Sequence, residues 1–366
     1  MFRKARFCAR LNRFVVLCEE DGRVFPAHLP NPGRLWEILL PGRTLLLKDQ
    51  EKQSMPRVWG AVKGEDVVFL DTSATTLVAQ RLIEEGQISN LWGYVIGRRE
   101  VFLEGSRIDF LLKRDSERLF LEVKSCTLFS GGLAMFPDAV TTRGKRHLEL
   151  LGRVGGAILF VVHSPSCFAF LPDFHTDPDF AWTLYALRER LRIYAVAVRW
   201  DEDGNFAYVR TLPIPWEVYE REAQDRGSYL LSGHLRGDVR VSVGRIGEYC
   251  FRKGFYLYVG SAMRSLSERI RRHFRKGKKK RWHIDFLVPF LEDLRAFPVQ
   301  SSERLECALS RELRNVFQEI PLFGASDCSC ASHLFYVPQP PLQNEAFVEI
   351  LLRFRIGRIA EKLRSC

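Results

Sequence analysis

The sequence predicts a chain of mixed α/β and α+β class in three parts: a small N-terminal β-barrel over residues 1–75, a mixed-sheet α/β domain over 76–215 and an α+β domain over 226–366, with 216–225 as linker. Three observations predict it. Residues 1–75 hold five short alternating segments separated by turn residues, the pattern of a small closed sheet. From Thr76 onward strand-like and helix-like runs interleave, which suits a sheet covered by helices. At Leu212-Pro213-Ile214-Pro215 two prolines favour extended backbone, and beyond them the chain turns to glycine-rich strands and a basic helix. At 366 residues the chain is long enough for two or three separate cores.

In order, the barrel segments are 7–17, 24–28, 44–47, 58–62 and 67–70, broken by Asp21-Gly22, Pro30-Asn31-Pro32-Gly33 and Pro41-Gly42. Five short strands fit a barrel of the OB type, a fold that often binds single strands. Residues 76–85 read as a helix with Leu77, Val78, Leu82 and Ile83 on one side and Gly86 as its stop. Glu85 falls at the edge of that apolar stripe and is placed to reach an interior site, whereas Glu84 points to solvent. Strands follow near 98–104, 107–113 and 118–124, then a helix near 142–152, a strand at 157–163, a helix near 178–191 and a strand at 193–199. Past the linker, 226–260 is strand-rich, 265–276 is a basic helix, and 302–317 and 344–364 are two further helices.

Hydrophobic residues make up 46% and charged residues 27%, the balance of an ordinary globular protein. No apolar run reaches the ~20 residues of a membrane span, and no apolar segment follows the basic start, so the expectation is a cytoplasmic protein without membrane contact. Nine cysteines, an odd number spread along the chain, predict buried thiols rather than a disulfide framework. The net charge of +11 suggests a polyanionic partner, with a merely solvated surface as the alternative. The excess is concentrated between Arg269 and Arg281, where nine of thirteen residues are Lys or Arg and none is acidic.

The chemistry begins with Arg107-Ile108-Asp109-Phe110 and Leu121-Glu122-Val123-Lys124-Ser125 on two neighbouring strands. Successive strand residues point to opposite faces, so Glu122 and Lys124 emerge together while Leu121 and Val123 face the core, and a hairpin brings Asp109 alongside. Two carboxylates hold a hard cation such as Mg²⁺ or Mn²⁺ through oxygen, and a lysine beside it can position a water for attack on phosphorus. The plain alternative is a pair of amphipathic strands with a solvated salt bridge.

With Glu85, Asp109, Glu122 and Lys124 in this order on helix, strand and strand, the region resembles the PD-(D/E)xK nuclease superfamily, and more specifically the sugar fermentation stimulation protein family. Pro30-Asn31-Pro32-Gly33-Arg34, Arg81-Leu82-Ile83-Glu84-Glu85, Ser106-Arg107-Ile108-Asp109-Phe110, Leu121 to Leu128 and Phe136-Pro137-Asp138-Ala139-Val140-Thr141 carry the resemblance. It implies an OB-like barrel joined to a nuclease-like domain in a DNA-binding protein linked to sugar-utilisation genes. It also implies that Asp109 and Glu122 bind the metal, that Glu85 completes its shell and that Lys124 orients or activates water. Arg34, Arg143, Lys145 and His147 are the expected phosphate contacts, and for the last three an exposed basic helix face is the equal alternative. The chain departs from the family at Gln80, at Thr142 and in the barrel, where Glu51-Lys52-Gln53-Ser54 dilutes a basic stretch.

The C-terminal part resembles the GIY-YIG nucleases, in particular a related family of unassigned function, through Gly227-Ser228-Tyr229, Tyr256-Leu257-Tyr258-Val259-Gly260-Ser261 and the helix from Leu266 to His273. Trp282-His283-Ile284-Asp285 and Ser326 to Phe335 add to the match. Such a site needs a hydroxyl or water near the phosphate, an arginine to offset developing charge and one carboxylate for a metal. Tyr229 and Tyr258 would supply the first, Arg269 the second and Glu306 the third. His273 shares the face of Arg269 and would help with proton transfer. Arg271, Arg272, Lys278, Lys279, Lys280 and Arg281 are the expected phosphate contacts, against a basic helix over aromatic core as the alternative. Asp327, Cys328, Cys330 and His333 invite a zinc reading, but Cys307 lies on another predicted element, so the expectation is a turn of small buried residues without zinc.

The functional expectation is therefore a DNA-binding protein with a Mg²⁺-dependent phosphodiesterase site. Its competitors are a non-catalytic regulator that keeps the nuclease fold for grip alone, and a scaffold without nucleic-acid binding.

Overall fold

A computed structural model describes residues 2–50 and 54–365, so Glu51, Lys52 and Gln53 of the diluted basic stretch lie outside the described residues. The chain forms two compact units, Met1–Trp216 with Ile356–Cys366 and Glu217–Arg355.

The first unit begins with β1 (Arg3–Asn12), β2 (Val15–Glu20), β3 (Arg23–His28), β4 (Thr44–Lys48), β5 (Arg57–Lys63) and β6 (Asp66–Phe69). They run in the order β3-β2-β1-β4-β5-β6, and a parallel contact between His28 and Arg57 closes the sheet into an OB-like barrel. The single run expected at 7–17 is two strands, because Arg13 and Phe14 make the turn between β1 and β2. Val16, Cys18, Leu45 and Leu47 point into the barrel and are buried there, which is the alternation a half-buried strand requires.

Next come α1 (Thr75–Glu84), β7 (Val95–Leu103), β8 (Ser106–Arg114), β9 (Glu117–Cys126), β10 (Leu128–Ser130), β11 (Leu133–Phe136), α2 (Thr142–Arg153), β12 (Ala157–Val162), β13 (Ala169–Pro172), α3 (Pro178–Ala186), β14 (Arg192–Trp200) and β15 (Phe206–Thr211). The main sheet has the order β15-β14-β12-β9-β8-β7, with β12 parallel to both neighbours. Every residue of β12 is buried, as a central parallel strand covered on both faces demands. One face packs Leu121, Val123 and Leu159 against Val78, Ala79 and Leu82 of α1. The other packs Ile158 and Phe160 against Leu148 and Leu151 of α2. Thr141 caps α2 by accepting from Gly144 N at 3.0 Å.

Helix α4 (Trp216–Glu222) begins at the boundary of the units. The second unit contains β16 (Gly227–Leu235), β17 (Val239–Ser242), β18 (Glu248–Phe251), β19 (Gly254–Ala262), α5 (Leu266–Phe274), α6 (Ile284–Leu287), β20 (Glu292–Gln300), α7 (Glu306–Arg314), β21 (Gln318–Glu319), β22 (Leu334–Val337) and α8 (Glu345–Leu352). Its sheet has the order β20-β16-β19-β22-β21, and β17 and β18 form a separate hairpin. Gly260 on β19 lies opposite Tyr229 on β16, where a Cβ would overlap the tyrosine ring.

The helix expected at 344–364 is present as one helical run, in which α8 passes through a π-helical turn at Arg353–Gly357 into α9 (Arg358–Arg364); α9 belongs to the first unit, where Arg364 lies over the Phe168 ring at 5.0 Å. Ile359 and Ala360 are fully buried there, beside the turn at Gly131 and Gly132. No helix among the described residues is long and apolar enough to cross a membrane.

Candidate functional site

Strands β8 and β9 pair as far as Phe110 opposite Leu121, and Asp109 and Glu122, the next residue of each strand, are close enough to interact electrostatically. Asp109 Oδ2 accepts from Val123 N at 2.7 Å. Lys124 Nζ donates to Glu122 Oε1 in a short contact, and His147 Nδ1 lies 2.7 Å from the same oxygen. Glu122 Oε2 is buried with no hydrogen-bond partner. Burial, and then the neighbouring Glu122, push the Asp109 carboxyl up to about 6. At Glu122 burial acts the same way, but Lys124 and His147 outweigh it and the carboxyl ends below its ordinary range. Two adjacent carboxylates, one raised and one with an orphaned oxygen, make a site short of positive charge. That donor set fits a hard divalent cation.

The remaining expected residues divide. Glu85 ends α1, on the sheet face opposite Glu122 and Lys124, and is half exposed in an ion pair with Arg81 Nε at 2.6 Å. His147, expected at phosphate, is buried against Glu122 instead, since Leu148 and Leu151 turn its side of α2 inward. Arg143 is exposed one turn before it, with Nε 3.5 Å from His147 Nε2, and Lys145 is half-buried. Arg34 is exposed on a loop whose backbone is held by Asp138, which accepts from Leu35 N at 3.1 Å. Beside Asp138 the fully buried Glu37 has its carboxyl raised by burial and by Asp138, a polar nest that hydrophobic patterning alone does not reveal.

In the second unit a cavity of about 430 Å³ is lined by Tyr229, Tyr258, Arg269, Arg281, Arg304 and Glu306. Arg269 donates to Ser261 O at 3.0 Å and lies over the Trp282 ring at 4.2 Å, which fixes the guanidinium. Glu306 Oε2 accepts from Ser261 Oγ, and His333 Nδ1 lies 3.2 Å from Oε1. Against burial, these neighbours hold the Glu306 carboxyl below its ordinary range. His273 is buried behind Tyr229, its Nε2 2.7 Å from the phenol oxygen. Burial, and then Lys278, push that imidazole down to about 4, so it is neutral near pH 7 and shares a hydrogen bond with the Tyr229 hydroxyl. Burial raises both Tyr229 and Tyr258, so each phenol keeps its proton.

The basic run is not uniform. Arg272 donates to both oxygens of the buried Asp285 at 3.1 and 3.0 Å, and Lys278 Nζ lies 3.2 Å from Asp285 Oδ1, so these two are structural. Arg271 is exposed and paired with Glu268. Lys279, Lys280 and Arg281 are exposed, with Lys280 over the Phe286 ring at 4.4 Å. Cys307, expected apart from Cys328, Cys330 and His333, is brought beside them by the packing of α7.

These features define a two-unit α/β protein in which an OB-like barrel precedes a mixed sheet bearing an acidic pair and a lysine. Residues 8–69 match the SfsA N-terminal OB domain and 73–204 the sugar fermentation stimulation protein RE domain. The chain belongs to the sugar fermentation stimulation protein family. Residues 228–355 match the domain of unknown function DUF123, a GIY-YIG-related family. The chain is 37% identical over 216 residues to a sugar fermentation stimulation protein homolog of Pyrobaculum islandicum, covering 57% of this chain and 92% of that one. A homolog from Methanothermobacter thermautotrophicus is 34% identical over 224 residues, covering 58% and 93%. The solved structure of Pyrococcus furiosus SfsA in complex with Ca²⁺ superposes with a TM-score of 0.55 at 28% identity, covering 58% of this chain and 97% of that one.

Proposed function

We propose that this chain is a cytoplasmic, divalent-metal-dependent phosphodiesterase acting on nucleic acid, in the first instance DNA, with the β8–β9 site as its hydrolytic centre. The observation that carries the reading is that Asp109, accepting from Val123 N, sits beside the buried Glu122, whose Oε2 lacks a hydrogen-bond partner, next to Lys124. That the Pyrococcus furiosus relative was solved in complex with Ca²⁺ supports divalent-cation binding. Asp109 and Glu122 would hold Mg²⁺ or Mn²⁺, which when bound offsets charge on phosphate oxygens and lowers the pKa of water. Lys124 orients a water toward phosphorus, His147 fixes the Glu122 carboxylate, and Arg143 at the rim grips the strand. In the second unit Tyr229 and Tyr258 present hydroxyls, Arg269 offsets developing charge and Glu306 supplies a carboxylate for a second cation.

The test is incubation of the full chain, Asp109→Ala and Glu306→Ala with labelled single- and double-stranded DNA and RNA in Mg²⁺, Mn²⁺ or EDTA. Cutting that needs the metal and disappears in Asp109→Ala supports the reading; cutting untouched by that change removes the site. A second reading, a non-catalytic DNA-binding regulator of sugar-utilisation genes, is favoured by the position of Glu85 away from the acidic pair. It expects DNA binding that survives EDTA and loss of both carboxylates.

A further inference from the structure

We propose that the second unit carries a structural zinc site formed by Cys307, Cys328, Cys330 and His333. One ligand atom from each lies within 4.8 Å of all the others, although Cys307 is on α7 and the other three are on the loop leading into β22. The spacing suits zinc in particular. Zn–S bonds of about 2.3 Å and Zn–N bonds of about 2.0 Å at tetrahedral angles put sulfur and nitrogen about 3.5 Å apart. Cys328 Sγ lies 3.5 Å from His333 Nε2. The other ring nitrogen of His333 is 3.2 Å from Glu306 Oε1, the outer carboxylate that commonly fixes the tautomer of a zinc-bound imidazole.

The surroundings give the site a purpose. Gly324-Ala325-Ser326-Asp327-Cys328-Ser329-Cys330-Ala331-Ser332 has no large apolar side chain with which to anchor itself, and a metal held from both sides would tie this loop to α7. Three thiolates around Zn²⁺ leave one excess negative charge, and Arg311 and Arg314 line the same recess as Cys307 and Cys330. Four protein ligands leave no open position, so the site is structural rather than hydrolytic. Cys307 directly follows Glu306, so the metal also holds in place the carboxylate that lines the tyrosine cavity. Thiol oxidation would use two cysteines and leave the third thiol and the imidazole unexplained. None of this depends on the proposed hydrolysis.

The full-length untagged chain, purified without chelator, is analysed for zinc by atomic emission. The expected content is about one zinc per chain, with release of three thiol protons on binding to the metal-free form. Exposed Cys8 and Cys250 serve as the control, and Cys8→Ser with Cys250→Ser keeps the metal. Cys328→Ser with Cys330→Ser loses it. Because that variant is exposed to misfolding, the wild-type chain is also loaded with Co²⁺, and thiolate-to-cobalt charge transfer with intense visible d–d bands is expected of a tetrahedral site. Glu306→Gln keeps the cobalt spectrum and binds zinc roughly 10- to 100-fold more weakly; unchanged affinity removes Glu306 from the site. A chain without zinc and without the cobalt–thiolate bands, a Cys307–Cys330 disulfide in the purified protein, or zinc retained after loss of Cys328 and Cys330 overturns the proposal.

Discussion

His147 Nδ1 lies 2.7 Å from Glu122 Oε1, with the imidazole 1% exposed. The contact joins α2 to the strand that carries the acidic pair, so it is both a packing and an electrostatic element. His147→Ala leaves a void and strips a buried carboxylate of one of its two partners. The expected cost is about 3 kcal/mol in the unfolding of the first unit, together with weaker Ca²⁺ binding. Urea unfolding followed by circular dichroism checks it. A loss below about 0.5 kcal/mol would mean that Lys124 alone satisfies Glu122.

Removing Lys124 separates chemistry from metal retention. It donates to Glu122 Oε1 and so competes with any ion for the pair's negative charge. Lys124→Met is expected to bind Ca²⁺ at least as tightly as the parent chain in calorimetry, while cleavage falls about 100-fold or more. Lost calorimetric binding would make the lysine a structural clamp on the carboxylates; undiminished cleavage would remove its role in positioning water.

Asp109, Glu122 and Lys124 were legible because strand side chains alternate between only two faces, and the apolar pattern together with the two-residue turn between Arg114 and Glu117 sets the register. Glu85 was not. A helical wheel shows which side of α1 faces inward, but not which face of the sheet that helix covers, and α1 covers the Leu121–Val123 face. His147 was misplaced because Arg143, Lys145 and Arg146 make the helix read as solvated; Gly144, Leu148 and Leu151 were the signal that its other side is buried. The approach of Cys307 to Cys328 follows from the packing of α7 against β19, the strand that pairs with β22, which no local pattern encodes. The return of Ile356–Cys366 to the first unit is likewise tertiary, since the local pattern reads as one continuous helix.

The basic run divides into two experiments. Lys279 and Lys280 are exposed, whereas Lys278 is tied to Asp285 and to the carbonyls of Arg272 and His273 at 3.2 and 2.9 Å. Lys279→Gln with Lys280→Gln is expected to leave folding unchanged and reduce the slope of log affinity for DNA against log salt by roughly 2. Lys278→Gln is expected instead to lower the melting temperature. Fluorescence anisotropy across a salt series reads the first and calorimetric melting the second; an unchanged slope in the double variant would make this run a solvated loop.

His163 gives the first unit a pH dependence of predictable sign. Trp200 Nε1 donates to His163 Nδ1 at 3.0 Å, so Nε2 carries the proton and faces Ser125 Oγ, also at 3.0 Å. Burial pushes this imidazole down to about 3 from its ordinary 6.5. Between those values the unfolded chain binds a proton that the folded chain refuses. The stabilisation is therefore complete above about pH 6.5 and is lost as pH falls toward 3, by about 2 kcal/mol between pH 7 and pH 5. His163→Gln keeps an acceptor for Trp200 and a donor for Ser125 but has no proton to gain. Carboxyl groups such as Asp109 titrate in both chains, so the difference between their urea midpoints at the two pH values isolates His163. If both chains lose the same stability on acidification, the imidazole is protonated within the fold and the Trp200 hydrogen bond does not hold it neutral.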